Sequence, residues 1–220
     1  MPDRSSPTEP AAPERLIAII PVGALDDAKS RLGAVLDAEE RLELSLRLAR
    51  RTITAALAAT SLDDVFVITP DDTVRDLARD LGARPILQRD RGLNRGIEAA
   101  RDEAVADGAT AVLIVPVDLP EISAGALDDI AATLADSVRP LVALVADRHG
   151  RGTNALLIAP PDAIAVCFGG DSAVTHRAAA RARGAALVEL DGPLRLDLDT
   201  PDDLLLAEAT LRDAERVHAD

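Results

Sequence analysis

Apolar residues fall in short unbroken runs separated by longer amphipathic stretches, and this alternation repeats along most of the chain. The run Ala111-Val-Leu-Ile-Val enters Pro116 without a polar break, which predicts a strand buried on both faces near the middle of a parallel sheet. Leu16–Pro21 predicts the first buried strand. Val65–Thr69, Pro85–Leu87, Leu141–Ala146 and Thr153–Ile158 predict others, with Leu187–Leu190 and Arg195–Leu198 as the last. Helical periods lie between them. A short helix is expected near Asp27–Leu36. A long one is expected from an Asp37 N-cap, with Glu40 at the capping-box position, to about Ala59; its apolar stripe is Leu42, Leu46, Ala49, Ile53 and Leu57. Further helices are expected over Asp71–Leu81 before Gly82, from Gly92 to about Ala106, from a Ser123 cap to about Ala135, over Ala173–Arg183 before Gly184, and from Pro201 onward. The rhythm predicts an α/β fold of three layers, a mainly parallel central sheet with helices on both faces.

Composition narrows the class. A chain of 220 residues buries roughly 70% of its unfolded surface and needs no disulfide or structural metal. With Phe66 and Phe168 as the only aromatic residues, the core is aliphatic and stacking on a base is rare. A formal charge of −14 argues against nucleic acid or an anionic membrane as partner. The single cysteine, Cys167, agrees with a reducing cytoplasm, and no apolar run reaches the roughly 18 residues of a membrane span. Residues 1–15, rich in Pro, Ser and charge, read as a disordered tail without a signal peptide, and 16–217 as one domain.

The candidate chemistry sits at strand ends. Asp118 follows the central strand, where open α/β sheets bind ligands; it reads either as a metal ligand or as a turn cap. Lys29 is the only lysine beside 23 arginines. With Ser30 and Arg31 it forms a cationic loop suited to a phosphate chain, and the loop lacks both G-x-G-x-x-G and a Walker lysine. In Asp197-Leu-Asp-Thr-Pro-Asp-Asp203, alternation puts Asp197 and Asp199 on one face of a strand end. Either could join Asp118 in holding Mg²⁺, while Asp202 and Asp203 complement a helix dipole. The turns at 147–154 and 168–172 offer backbone amides to a small anion, and Ser172 is placed to cap the helix at Ala173. His149 reads as an exposed loop histidine and Cys167 as a packed one.

In combination these segments resemble the guanylyltransferases of coenzyme F-420 biosynthesis, which act on 2-phospho-L-lactate or phosphoenolpyruvate. The resemblance rests on Ile20-Pro21-Val22, Ala28-Lys29-Ser30-Arg31-Leu32, Gly92-Leu93-Asn94, Asp118-Leu119-Pro120, Asp147-Arg148-His149-Gly150 with Gly152-Thr153-Asn154, Phe168-Gly169 with Ser172, and Asp197-Leu198-Asp199-Thr200-Pro201. It implies a nucleotide-diphospho-sugar-transferase-like fold. GTP would be held by Pro21, Val22, Lys29, Arg31, Gly92 and Asn94, and Mg²⁺ by Asp118 and Asp199. Thr153, Gly169 and Ser172 would hold a small phosphorylated carboxylic acid, and Lys29, Arg31 and Asp118 would act in catalysis. Many members carry Lys where this chain has Gly23, and Pro where it has Gly170. Two other readings are another nucleotidyltransferase, using CTP or UTP with a sugar or polyol phosphate, and a non-catalytic nucleotide-binding module. A labile diphosphate product would favour transient contact with the next enzyme.

Overall fold

A computed structural model describes residues 14–25 and 29–207. The expected tail up to residue 13, and the expected domain beyond 207, lie outside the described residues. Seven strands form one sheet: β1 (Leu16–Pro21), β2 (Asp64–Thr69), β3 (Arg84–Leu87), β4 (Ala111–Ile114), β5 (Leu141–Ala146), β6 (Thr153–Ala159) and β7 (Ala186–Glu189), in the order β3-β2-β1-β4-β6-β5-β7. β4 is the middle strand, as its apolar run predicted. β6 alone runs antiparallel, paired with β4 on one side and β5 on the other. Its amino end therefore lies at the edge where the parallel strands end, and Thr153 stands opposite Ala146.

Alternate strand residues face opposite layers. Ala18, Ile20, Val65, Leu113 and Ala143 pack with residues of α1 (Ala38–Ala58), α2 (Asp72–Leu81) and α4 (Ala124–Asp136). Ile17, Ile19, Phe66, Ile114 and Leu144 pack with residues of α3 (Leu93–Ala106) and α5 (Ser172–Ala182). This is why the strands read as continuous apolar runs. Helix ends follow local chemistry: Asp37 and Glu40 form the expected capping box, and Gly82 closes α2 at φ +95°.

Four expectations need correction. In the described part of the predicted helix near Asp27–Leu36, only a 3₁₀ turn forms, Ser30–Leu32. The buried face of α1 is Leu44, Ser45, Leu48, Ala49, Thr52, Ile53 and Ala56, leaving Leu42 and Leu57 each 40% exposed. The helix has apolar residues around much of its circumference, and a small satellite core chooses the face. Leu44 and Leu48 pack there with Leu32, Leu198 and Ala207. Arg195–Leu198 is not a strand; after a 3₁₀ turn at Pro193–Arg195, the Leu198 N–H donates to the Asp118 carbonyl at 2.8 Å. Ser172 is the first residue of α5, with Asp171 at the N-cap.

Candidate active site

A cleft of about 490 Å³ opens beside the carboxyl end of β1, lined by residues including Val22, Gly23, Lys29, Arg31, Val117 and Asp199. Lys29 is the single described non-glycine residue with positive φ, +53°, a backbone state that costs about 1–2 kcal/mol. The turn sends its side chain inward, where it is only 12% exposed. Its ammonium lies 3.1 Å from an Asp199 oxygen and 3.7 Å from an Asp118 oxygen, so the two acids are no farther apart than these contacts laid end to end. Arg31 reaches the other Asp199 oxygen at 3.2 Å.

The convergence of residues 118 and 199 has two causes. The Leu198 N–H to Asp118 carbonyl bond joins the two acidic loops directly. Burial of Leu198 with Leu32 and Leu48 then ties the second loop to the cationic turn and to α1. Asp203 completes the support. Rather than complementing a helix dipole at the surface, it is buried, accepts from the backbone N–H of Asp199 and Thr200 and from the Thr200 hydroxyl, and pairs with Arg148. Burial opposes its charge, but these bonds outweigh the penalty and hold its carboxyl below the usual range. The sequence signal was present: Thr200 and Asp203 are spaced as an N-cap and its N3 partner.

Asp197 adds to the acidic cluster. Burial, then the charges of Asp118, Asp199 and Asp147, push its carboxyl above the usual range. Two protein carboxylates, with other positions left to water and phosphate, suit a hard cation of the Mg²⁺ type. Asp118 and Asp199, both within reach of the Lys29 ammonium, offer oxygen donors of the kind such a cation takes. Among the described residues no group of three or more His, Cys, Asp or Glu side chains forms a metal cage.

A second group of expected site residues surrounds Thr153, outside the lining of this cleft. For Asp147, burial raises the carboxyl while the backbone N–H groups of Arg151 and Gly152 lower it more, at 2.8 and 2.9 Å. A Cβ on Gly152 would come within 2.8 Å of that carboxylate and force it off its two backbone N–H partners. Asn94, expected at the nucleotide, does not line the cleft. Its amide instead clasps Phe168, accepting from the Phe168 N–H at 2.6 Å and donating to the Phe168 carbonyl at 3.0 Å. Gly92, likewise outside the cleft lining, starts α3 at φ +109°, and the Gln88 amide holds its carbonyl at 3.1 Å. Pro21 ends β1 opposite Ile68. Gly169 adopts φ +134°, and its carbonyl accepts from the Ser172 N–H.

His149 is exposed as expected, and Cys167 is exposed rather than packed. The sequence reading missed His176, which is fully buried with its ring between Thr153 and the Cys167 backbone. Its spacing with Ala173 and Ala180 on the buried stripe of α5 was the available signal. Beside Gly23 and Gly170 a Cβ would meet nothing within 4 Å, so neither glycine is demanded by packing.

The fold is of the nucleotide-diphospho-sugar-transferase type. A solved structure from Desulfovibrio desulfuricans G20, provisionally assigned as a nucleotide-diphospho-sugar transferase, matches with TM-score 0.73 at 16% identity, covering 92% of this chain and 96% of that one. A nucleotidyl transferase from Methanothermobacter matches with TM-score 0.67, also at 16% identity, over 90% of this chain and 99% of that one. Both likenesses concern the fold. The family described as "Guanylyl transferase CofC like" matches residues 16–213, and the chain belongs to it. A relative named phosphoenolpyruvate guanylyltransferase, from Sphaerobacter thermophilus, is 45% identical over 86% of this chain and 90% of its own length. Another of that name, from Rubrobacter xylanophilus, is 41% identical over 89% of this chain and 94% of its own length. The chain is thus a guanylyltransferase-family enzyme. No described helix is long and apolar enough to cross a membrane.

Proposed function

We propose that this enzyme joins GMP from GTP to the phosphate of phosphoenolpyruvate, or of the related 2-phospho-L-lactate, in coenzyme F-420 biosynthesis. The observation that carries the proposal is the part-buried ammonium of Lys29 set between Asp118 and Asp199 at the cleft, in a family whose relatives bear the phosphoenolpyruvate guanylyltransferase name.

The chemistry is a charge problem. An ionised oxygen of the acceptor phosphate forms a bond to the α-phosphorus of GTP; the α–β bridging P–O bond breaks, and its electron pair leaves with pyrophosphate. No strong general base is required, because the attacking oxygen carries no proton to remove. Two polyanions must instead be brought together inside a protein of net charge −14. Lys29 has three N–H donors, of which Asp199 engages one, so the ammonium can also meet phosphate oxygens. Arg31, 75% exposed at the cleft mouth, offers a fork of donors to the β- and γ-phosphates. Asp118 and Asp199 would hold Mg²⁺, which when bound supplies positive charge against the α-phosphate and the leaving group. Val22, just past β1, lines the cleft beside the nucleotide; Pro21 precedes it, and Gly92 and Asn94, outside that lining at the start of α3, would reach the nucleotide from the side. Thr153, Gly169 and Ser172 receive the phosphorylated acid; Asn94 serves them as well, by fixing Phe168 next to Gly169.

The test is pyrophosphate release with GTP, CTP or UTP against phosphoenolpyruvate, 2-phospho-L-lactate and 3-phosphoglycerate in turn. Release with GTP and phosphoenolpyruvate or phospholactate is expected. Preference for CTP or UTP, or nucleotide binding without release, would overturn the reading. The product's labile diphosphate favours direct hand-over to the enzyme that consumes it, and sedimentation of the mixed pair as separate species would contradict that.

A further inference from the structure

His176 lies outside the cleft, and none of the roles above uses it. Its ring is fully buried, edge-on to Phe168 with centroids 5.3 Å apart, and both ring nitrogens are engaged. The Cys167 backbone N–H donates to Nε2 at 2.9 Å. A backbone amide can only donate, so Nε2 carries a lone pair and the proton of the neutral ring sits on Nδ1. The contact at 3.0 Å between Nδ1 and the Thr153 hydroxyl oxygen then has one polarity: Nδ1–H donates and the hydroxyl oxygen accepts. The hydroxyl hydrogen of Thr153 is left to donate elsewhere.

This fixed direction matters for a ligand whose oxygens only accept. We propose that His176 is a positioning residue for the acceptor substrate: it commits the Thr153 hydroxyl to donating toward an anionic oxygen of the phosphorylated acid. The inference rests on the functional reading above, in which Thr153 faces that acid. The same ring anchors the Cys167–Gly169 turn through the Cys167 N–H, while Asn94 anchors it through both backbone groups of Phe168. One buried imidazole therefore links β6, the turn and α5, the three elements that carry Thr153, Gly169 and Ser172. The lowered proton affinity of the buried ring, with pKa brought to about 4, keeps it in the neutral form at physiological pH.

Steady-state kinetics on the full chain test this, varying one substrate with the other saturating. His176→Gln can still accept from Cys167 but places no donor at Thr153. Losing one hydrogen bond to a charged group should raise the KM for the acceptor about 10-fold or more while leaving the KM for GTP within about 2-fold. His176→Asn, whose amide N–H can stand near the Nδ1 position, should recover much of the loss. Thr153→Val should match His176→Gln, and the double variant should be no worse than Thr153→Val, because one residue acts through the other. Equal rises in both KM values, losses that multiply in the double variant, or a silent His176→Gln would overturn the proposal. If the His176 variants fail to fold, the tautomer of the wild-type ring decides it, and Thr153→Val against Thr153→Ser, with Ser expected to keep the acceptor KM and Val to lose it, tests the hydroxyl it acts through. The ¹⁵N spectrum of His176 gives a readout independent of turnover: protonated Nδ1 and bare Nε2 are expected, and the opposite tautomer would overturn the assignment. An enzyme inactive with every acceptor, yet showing the expected tautomer, would instead overturn the functional reading.

Discussion

Acidification should weaken this protein through His176 before the low-lying carboxylates of Asp147 and Asp203 respond. The ring is fully buried, and burial lowers its pKa from 6.5 to about 4. The unfolded chain takes up a proton on this histidine below 6.5, and the folded chain does not until about 4. The stabilisation is thus fully present above 6.5 and is lost as pH falls through the interval toward 4. At about 1.36 kcal/mol per pKa unit, the complete loss is on the order of 3 kcal/mol, and near pH 5 about 2 kcal/mol of it has already gone. For a protein holding roughly 5–15 kcal/mol in total, that is a large fraction. Urea unfolding of wild type and His176→Gln near pH 7 and near pH 5 isolates the effect. Asp147 and Asp203, whose carboxyls are held low, contribute to both proteins and lose their stabilising effect only at lower pH, so they cancel in the comparison. Wild type should lose about 2 kcal/mol more than the variant between the two conditions. Parallel losses would show that the imidazole is not held neutral by burial, and the argument from its tautomer would fall with it.

Removing charge from the cleft should act on turnover. Asp118→Asn is expected to cut kcat on the order of 10²-fold, the usual cost of losing one electrostatic stabiliser, with near-normal turnover at saturating Mg²⁺ counting against its role. Lys29→Ala should act chiefly on nucleotide handling, read as a higher KM for GTP and lower kcat/KM; unchanged GTP kinetics would make its part-buried position between two acids incidental. Asp203→Ala leaves Arg148 and the backbone N–H groups of Asp199 and Thr200 without their carboxylate. It should cost about 3 kcal/mol by thermal unfolding and also lower activity, since Asp199 loses its support; an unaffected Tm would refute the capping account.

The sequence by itself determined what short-range chemistry decides. The Asp37 and Glu40 box, the Gly82 stop and the Ser123 cap are bonds between residues a few positions apart, so they can be read locally. The aliphatic runs identified most strands and made β4 central, because a strand covered on both faces needs apolar residues at every position. Lys29, Asp118 and Asp199 could be singled out by rarity and by their places at segment ends, before anything showed that they meet.

Tertiary structure decided the rest. A fully buried strand has no polar face to reveal its direction, so the antiparallel setting of β6, which carries Thr153 to the edge where the parallel strands end, is not written in its own residues. The face of α1 was chosen by Leu32 from the turn before it and Leu198 from a distant part of the chain, against a stripe that looked equally good in isolation. Arg195–Leu198 had the pattern of a strand but found its partner in the Asp118 loop. That backbone bond, together with the burial of Leu198, brings the acids together. His176 looked like an ordinary helix residue until Thr153 and Cys167 closed around it, because the direction of a hydrogen bond belongs to the pair of groups that make it and not to either one alone.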